Sequence, residues 1–296
     1  MPKKNEALSV FLTGKRAAVT PVMAGIEVSG PRRVPGLRRE EVAFLAGVSV
    51  DWYVRLEQGR PVTPSEQVLS AIARTLHLDD AEREYLLNLA RPTPGLRREG
   101  RGLPSVRPGI SRMIGNLHDQ PAFVLGPRME VLAGNELAWA LLADFPARST
   151  DDRNLLRWIL TDPDARELYL DWGTIASEMV GVLQLESSSR PHDPEIRELV
   201  GELATSSEMF RKCWARPNPQ GRTSGTKRFH HAVVGNVTID WEAFSVPDDA
   251  TQTLFVYTAA SDDDYTTLRL LASWRASAET ALASARPRPL HADRPG

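Results

Sequence analysis

The sequence predicts two domains of different class, an all-α domain of five short helices followed by a mixed α/β domain, together α + α/β. Up to residue 90, apolar side chains recur at three- and four-residue spacing in short, well-bounded segments. A stretch rich in Pro, Gly and Arg follows, and segments typical of strands appear only after it. We therefore expect domains at 1–90 and 108–275, a linker at 91–107, and a disordered tail at 276–296.

Capping residues define the helices of the N-terminal domain. Ser49, Ser65 and Asp79 each stand where a side-chain oxygen can accept a hydrogen bond from a first-turn amide. A Pro- and Gly-rich stretch separates the first helix from the others. The helices are expected at 5–16, 38–46, 49–58, 65–76 and 79–90.

The second domain contains some segments with the residue pattern of strands and others with the apolar spacing of helices. Short strands are expected at 122–124 and 129–132, and later strands at 228–234, 237–244 and 253–258. Gly235-Asn236 is a tight hairpin signal. Helices are expected at 136–142, 154–160, 164–185 and 194–215, and the acidic run Asp262 to Asp264 is interpreted as a solvated turn.

Charge is unevenly distributed, although the net charge is only -2. The first 107 residues hold 17 basic and 12 acidic side chains, and the remainder holds 19 and 26. The basic part can approach a polyanion that would repel the acidic part. The single cysteine, Cys213, fits a reducing cytoplasm, and neither a secretory signal nor a membrane-spanning run is found. We expect a cytoplasmic protein without a membrane partner.

The string LRREEVAFLAGVSVDWYVRLEQGR at 37–60 has the spacing of a helix-turn-helix. Gly47 can take a positive φ angle, Val48 is an apolar plug under the turn, and Ser49 caps the second helix. The spacing predicts two helices that cross at a tight turn.

The second helix of this pair has one polar face, because Asp51, Arg55 and Gln58 recur at helical spacing while Tyr53 and Leu56 point away. Such a face can enter the major groove of double-stranded DNA. Arg55 can pair with guanine, and Gln58 can reach a base or a phosphate. Asp51 can accept from cytosine or orient Arg55 through an ion pair, and we favour the orienting role.

Further arginines are placed to contact phosphate. Arg38 and Arg39 start the first helix of the pair, and Arg60 follows the second. One recognition helix reads few base pairs, so we expect a homodimer.

These residues resemble the Xre-type helix-turn-helix, and specifically the MmyB-like transcriptional regulators. The resemblance is carried by RRVPGLRREE at 32–41 and WYVRLEQGR at 52–60. It implies that positions 50–55 read bases, and that Glu57 ties the recognition helix to its neighbours. The expected DNA-contacting residues are Arg38, Arg39, Ser49, Val50, Asp51, Trp52, Arg55, Gln58 and Arg60.

A weaker resemblance continues from about Pro108 to Trp274 and is clearest in FVLGPRMEVLAGN at 123–135. It implies a PAS-like α/β sensor domain that holds a small hydrophobic, fatty-acid-like effector. Large apolar side chains are available to line such a cavity. The candidates are Phe123, Trp139, Trp158, Trp172, Met179, Phe210, Trp214 and Trp241. Arg211 or Arg216 could neutralise a carboxylate head group.

Two other functions stay open. Aromatic residues at such spacing are usually plain core, so the second domain could instead only dimerise or dock a partner protein. An enzyme fits least, because no phosphate loop or nucleophile elbow is found and we expect no catalytic residue. His230 and His231 face opposite sides of a strand, so no metal site is expected either.

Overall fold

The computed structural model describes residues 4–27, 32, 34–91, 104–221, 223–246 and 249–285. They form two compact units, one of Met1–Arg101 with Gly173–Arg222 and the other of Gly102–Trp172 with Thr223–Gly296. The helices within residues 173–222 thus group with the N-terminal helices, and the domain boundaries drawn from the sequence stay a prediction. No helix in the described part of the chain is long and apolar enough to cross a membrane.

Five helices form the N-terminal part of the first unit, as predicted. Their caps match the sequence signals, with the Ser65 hydroxyl accepting from the Val68 amide and the Asp79 carboxylate accepting from the Glu82 amide. The predicted ends are correct to within about two residues. The helices are α1 Glu6–Ala18, α2 Arg39–Leu45, α3 Val50–Glu57, α4 Glu66–Thr75 and α5 Asp80–Ala90.

The segment that enters α2 lies directly against α1. A Cβ atom on Gly36 would lie 2.5 Å from the carbonyl oxygen of Ala17, so only glycine permits this approach. The next amide, that of Leu37, donates to the carbonyls of Arg16 and Val19. Leu37 is fully buried and belongs to the apolar core of these helices. The start of the helix pair is therefore anchored to α1.

Glu57, the last residue of α3, joins three helices through its carboxylate. Its side chain is only 1% exposed. Arg16 of α1 donates through Nε at 2.6 Å and Nη2 at 3.0 Å, and Arg39 of α2 donates through Nε at 2.8 Å. Burial alone would raise the pKa of Glu57, but the hydrogen bonds from the two guanidinium groups hold it below its ordinary value. Glu57 therefore ties α3 to α1 and α2, which is the role that the sequence resemblance implies.

Two helices expected to be continuous are interrupted. The helix expected at 164–185 is α9 Pro163–Leu168 and α10 Trp172–Ser189, because Tyr169 bridges to Phe229 and the Leu170 amide donates to the Arg228 carbonyl. The helix expected at 194–215 is α11 Pro194–Ser206 and α12 Glu208–Trp214. Ser207 is extended there, and its hydroxyl caps α12 by accepting from the Phe210 amide.

The second unit is built on a five-stranded antiparallel sheet of order β2-β1-β5-β4-β3. A domain that mixes helices with a sheet confirms the predicted fold class. The β3–β4 hairpin is present, with its turn at 232–234 and a positive φ angle at Gly235. The elements are α6 Pro108–Gly115, β1 Ala122–Leu125, β2 Val131–Gly134, α7 Glu136–Leu141, α8 Leu155–Thr161, β3 Ser224–His231, β4 Gly235–Val246, β5 Asp249–Ala259 and α13 Asp262–Ala285.

The two faces of this sheet carry different side chains. Ala122, Val124 and Leu254 face α6 and pack with Ile114 in a small aliphatic cluster. Aromatic side chains alternate with them and occupy the opposite face. The buried or ring-stacked residues there are Phe123, Phe229, Trp241, Phe255 and Tyr257.

Three further expectations need correction. The second strand begins at Val131 rather than residue 129, because Met129 has a positive φ of 65° in a turn. Asp262 to Asp264 begin α13 instead of forming a loop turn, and the Asp264 carboxylate accepts from the Thr238 amide at 2.7 Å. Residues 276–285 continue that helix instead of being disordered, and 286–296 lie outside the described residues. Most of the expected linker, 92–103, also lies outside them.

Glu57→Gln removes the charge that pairs with both arginines. We expect a loss of roughly 2–4 kcal/mol in the free energy of unfolding at neutral pH. The folded-state pKa of Glu57 lies below 4.5, so its contribution is complete above the unfolded-state pKa and is lost as pH falls through the folded value. The two proteins should therefore converge in acid when urea unfolding is measured as a function of pH. Glu84→Gln, at an exposed site on α5, is the control and should track the wild type.

Gly134→Ala tests the close contact between β2 and α7. A Cβ at this position would lie 2.3 Å from the Trp139 ring, which in turn packs edge-on against Phe145. We expect a loss of about 1–3 kcal/mol, measured by chemical denaturation. Gly201→Ala on α11 meets open space and should be neutral or stabilising by up to ~1 kcal/mol. Equal stability of the two variants would contradict the packing described.

Candidate nucleic-acid interface and ligand site

The turn between α2 and α3 has the geometry that the sequence predicts. Gly47 has a φ of 68°, and the Val48 amide donates to the Ala43 carbonyl at 2.9 Å. Val48 packs against the core of the domain. The Ser49 hydroxyl accepts from the Trp52 amide at 3.2 Å and so caps α3. The turn fixes where the second helix begins.

α3 separates buried and exposed side chains as its periodicity predicts. Tyr53 and Leu56 are buried in the core, whereas Asp51 and Arg55 are exposed. Val50 is exposed at the start of the helix. This face is free to meet a groove of DNA, and the core side is not.

Two residues expected to contact DNA are less accessible than the others. Trp52 is half-buried and packs against the domain core, and Gln58 is also half-buried. Gln58 follows the last helical residue, and its amide donates to the Val54 carbonyl at 2.9 Å. Contact with DNA at these positions would use the part of each side chain that remains exposed.

The ion pair expected between Asp51 and Arg55 is not formed. Among the described residues, no salt bridge joins these two side chains. The orienting role favoured for Asp51 therefore lacks its contact. Arg55 is exposed on α3.

The basic residues around α3 differ in how they are held. Arg38 is exposed, and its guanidinium lies 3.7 Å from the carboxylate of Glu40. Arg39 is committed through Nε to Glu57, although nearly half of its side chain stays exposed. Arg60 is exposed just after Gly59, whose φ is 66°. Arg38 and Arg60 are therefore the less constrained candidates for phosphate contact.

The expected DNA-contacting set omits two residues beside the helix pair. Arg32 forms a two-pronged pair with Glu41, with both N–O distances at 2.7 Å, and Glu41 also accepts from the Arg38 amide. This pairing lowers the pKa of Glu41. Phe44, near the end of α2, is 83% exposed. Arg32 lies in the matched motif, but no sequence pattern distinguishes Phe44 from a core residue.

The expected ligand-lining residues divide between the two units. Those of the first unit lie on α10 and α12, where Phe210 and Trp214 stack at 5.1 Å. All but Trp172 and Trp214 are buried. The second unit holds Phe123, Trp139, Trp158, Trp172 and Trp241, and the first unit holds Met179, Phe210 and Trp214.

The aromatic residues of the second unit form a continuous row. Successive ring centroids are 4.9–6.4 Å apart, most of them in edge-on or tilted contact. Four members of this row are absent from the expected set, namely Phe145, Tyr169, Phe229 and Tyr257. In order the row runs through Trp139, Phe145, Trp158, Tyr169, Phe229, Tyr257 and Phe123.

A lysine that the sequence does not single out lies in this interior. Lys227 of β3 is only 6% exposed, and its Nζ donates to the hydroxyl of Tyr257 at 3.0 Å. The same nitrogen lies 5.0 Å from the Trp241 ring centroid. In contrast, Arg211 and Arg216 are exposed, and Arg211 donates to the carbonyl of Ala204 at the end of α11. Neither arginine lines an interior.

In the first unit, α10 packs against the N-terminal helices. Leu185 joins their apolar core, and the Asn88 amide group donates to the Ser188 hydroxyl at 3.2 Å. Beside these contacts lies a cavity of about 530 Å³. Its lining includes Val10, Tyr85, Leu89, Gln184, Ser188 and Trp214.

Histidine, cysteine and acidic side chains are not clustered for metal binding in the described part of the chain. No group of three or more His, Cys, Asp or Glu side chains there could hold an ion. His231 is half-buried and hydrogen-bonds the Ala140 carbonyl at 2.9 Å, whereas His230 contacts Asn236. The two histidines therefore have separate partners.

Comparison with known families identifies both parts of the chain. Residues 106–271 match the family described as MmyB-like transcription regulator ligand binding domain, which covers more than half of the chain. Residues 12–86 match a helix-turn-helix domain. No curated protein matches the chain. The chain belongs to the MmyB-like transcription regulators, with a helix-turn-helix DNA-binding domain ahead of an MmyB-like ligand-binding domain.

Proposed function

We propose that this DNA-binding regulator reads a specific sequence as a homodimer, and that a small hydrophobic effector in its second domain changes its affinity for DNA. The main support for this proposal is that α3 exposes Asp51 and Arg55. The other side of the helix is buried through Tyr53, Leu56 and Glu57. A helix supported in this way can enter a groove without rearranging its own domain. The single cysteine fits a reducing compartment, and we place the regulator in the cytoplasm.

The residues of this surface have different roles. Arg55 reads a base edge, with guanine the best fit for a guanidinium, and Gln58 assists at the far end of the helix. Arg38 and Arg60 bind phosphate and set the register. Ser49 presents the first turn of α3, so Val50 and Trp52 can reach the same groove. Arg39 contributes to phosphate binding while it also orients Glu57.

The effector site belongs to the aromatic side of the sheet. An interior of stacked rings favours an apolar molecule, because removing its surface from water is the main gain available there. Phe123, Trp139, Trp158 and Trp241 are the expected residues that lie in this part of the protein.

Coupling to DNA requires that the effector bind one conformation of the protein better than another. Helix α10 is suited to this role. Its sequence falls within the matched ligand-binding family, yet Leu185 and Ser188 contact the core and α5 of the DNA-binding helices. A displacement of α10 would therefore change the packing of the helices that position α3.

Arg55→Ala is expected to weaken binding to the preferred sequence by about 1–3 kcal/mol, with little effect on random DNA, because only a base contact is lost. Arg38→Ala should weaken both by similar factors and reduce the salt slope by about one unit. A preferred sequence selected from a random library and fluorescence anisotropy at several salt concentrations provide the measurement.

The control for both variants is Arg112→Ala on α6, which removes the same charge at an exposed site outside the DNA-binding helices. It should leave binding unchanged. If Arg55→Ala lost affinity for random DNA as strongly as for the selected sequence, the base-reading role would be wrong.

If the regulator is a homodimer, the symmetry of the selected DNA sequence can be predicted. We expect an inverted repeat whose half-sites are about 10 base pairs apart centre to centre, because two recognition helices on one DNA face must follow its helical turn. Sedimentation of the complex should give two chains per site. A single half-site bound by one chain at full affinity would contradict this prediction.

A further inference from the structure

The cavity of the first unit is bounded by α1, α5 and α10, with the end of α12 also in its wall. Its volume of about 530 Å³ lies within the range of small-molecule sites. All of its lining residues belong to the first unit, whereas the aromatic row belongs to the second. The cavity is therefore a separate candidate site, and part of its wall comes from the DNA-binding helices.

Polar side chains that line this cavity are held in place by the protein itself. The Gln184 amide group donates to the Cys213 carbonyl at 3.3 Å and accepts from the Asn218 amide at 2.9 Å. The Ser188 hydroxyl accepts from the Asn88 amide group at 3.2 Å. Such a wall is formed before a ligand arrives, so little further ordering is needed on binding.

The hydroxyl of Tyr85 in this wall has no hydrogen-bond partner among the described residues. The side chain is only 6% exposed, and its ring packs edge-on against Phe11 of α1 at 5.1 Å between centroids. Burial raises the pKa of Tyr85 to about 12, so the phenol keeps its proton at neutral pH. A buried hydroxyl without a partner is unfavourable. A ligand oxygen that accepts from it would remove that cost.

Trp214 gives the wall a flat aromatic surface. It is half-buried, and Phe210 stacks on its ring at 5.1 Å between centroids with 19° between the planes. Because Phe210 covers one side of the indole, the remaining side is the one available to the cavity. Val10 and Leu89 add apolar surface to the same wall. A planar aromatic molecule can stack on the indole while it buries its own apolar surface.

The charge of the lining decides which aromatic molecules fit. None of the described lining residues is basic, and Glu6 is the one charged side chain among them. A carboxylate or phosphate in this cavity would lose hydration without a cation to replace it. An uncharged ligand avoids that penalty.

We infer that this cavity binds an uncharged, flat aromatic molecule whose oxygen accepts a hydrogen bond from Tyr85 and whose ring stacks on Trp214. The site goes beyond the proposed function and does not depend on the effector of the second unit. A molecule bound there contacts α1, α5 and α10, and so favours the packing of these helices that accommodates it. Because Arg16 of α1 donates to Glu57 at the end of α3, the same molecule changes the affinity for DNA.

The test uses 2-naphthol as the probe, measured by isothermal titration calorimetry on the full-length protein. Trp214→Leu removes the ring surface and should weaken 2-naphthol about tenfold or more. The affinity for 2-naphthoate, which has the same rings and a negative charge, should not change in this variant. Trp274→Leu on α13 is the matched control, because this tryptophan is also partly exposed but lies outside the cavity, and it should bind 2-naphthol like the wild type.

Tyr85→Phe keeps the test decisive if Trp214→Leu does not fold, because it preserves the ring against Phe11 and removes only a hydroxyl without a partner. Thermal stability should be equal or slightly higher. Binding of 2-naphthol should weaken about threefold or more, while that of naphthalene stays unchanged. Tyr265→Phe, whose hydroxyl donates to Asp119 in the second unit, is the control and should alter neither.

DNA binding supplies the second readout. In the wild type, 2-naphthol should change the affinity for the selected DNA sequence about fivefold or more, and it should have no such effect in Trp214→Leu. Absence of 2-naphthol binding, or an unchanged affinity in both cavity variants, overturns the site. An equal loss of 2-naphthoate affinity in Trp214→Leu overturns the preference for an uncharged ligand. A DNA affinity that 2-naphthol leaves unaltered overturns the regulatory role.

Discussion

The buried carboxylate of Glu57 is the constraint on which the DNA-binding surface depends. Apolar packing of Tyr53 and Leu56 holds α3 against the core but does not by itself define how the helix is rotated. Hydrogen bonds are directional, and those from Arg16 and Arg39 fix the last residue of α3 to both α1 and α2. A buried ion pair adds little net stability compared with an apolar substitute, but breaking one is costly. Its contribution is better understood as orientation, because a different rotation of α3 would leave a buried charge unpaired.

The two faces of the sheet show how one element serves both folding and recognition. The aliphatic face against α6 contains Ala122, Val124 and Leu254, which provide burial without polar atoms. The aromatic face contains Lys227 and Tyr257, whose polar groups are costly to bury and would not be needed for packing alone. A sheet face that served only to form a hydrophobic core would need no more than aliphatic side chains such as those against α6. The difference between the faces is therefore the strongest structural argument that the second domain has a ligand-binding function.

Local signals were sufficient to predict the helix-turn-helix and insufficient for much of the second domain. Ser49, Gly47 and the capping residues act within a few residues of themselves, so the sequence predicted α2 and α3 closely. The break after α9 depends instead on Tyr169 meeting Phe229, which is distant in sequence, and neither residue interrupts a helical pattern. Lys227 was missed for the same reason, since burial of a lysine is decided by tertiary structure. The unformed Asp51–Arg55 pair shows that correct spacing permits an ion pair but does not establish it.

Helix α10 belongs by sequence to the matched ligand-binding family and packs against the core that positions α3. At its start, the Trp172 indole donates to the Ile159 carbonyl of α8, the helix that also carries Trp158 of the aromatic row. Near its end, Ser188 accepts from Asn88 of α5. An uninterrupted helix transmits displacement along its length better than a loop does, because its hydrogen bonds resist local bending. Within the first unit, the core that Leu185 of α10 joins also contains Tyr53 and Leu56, so a displacement of α10 would change the packing that holds α3.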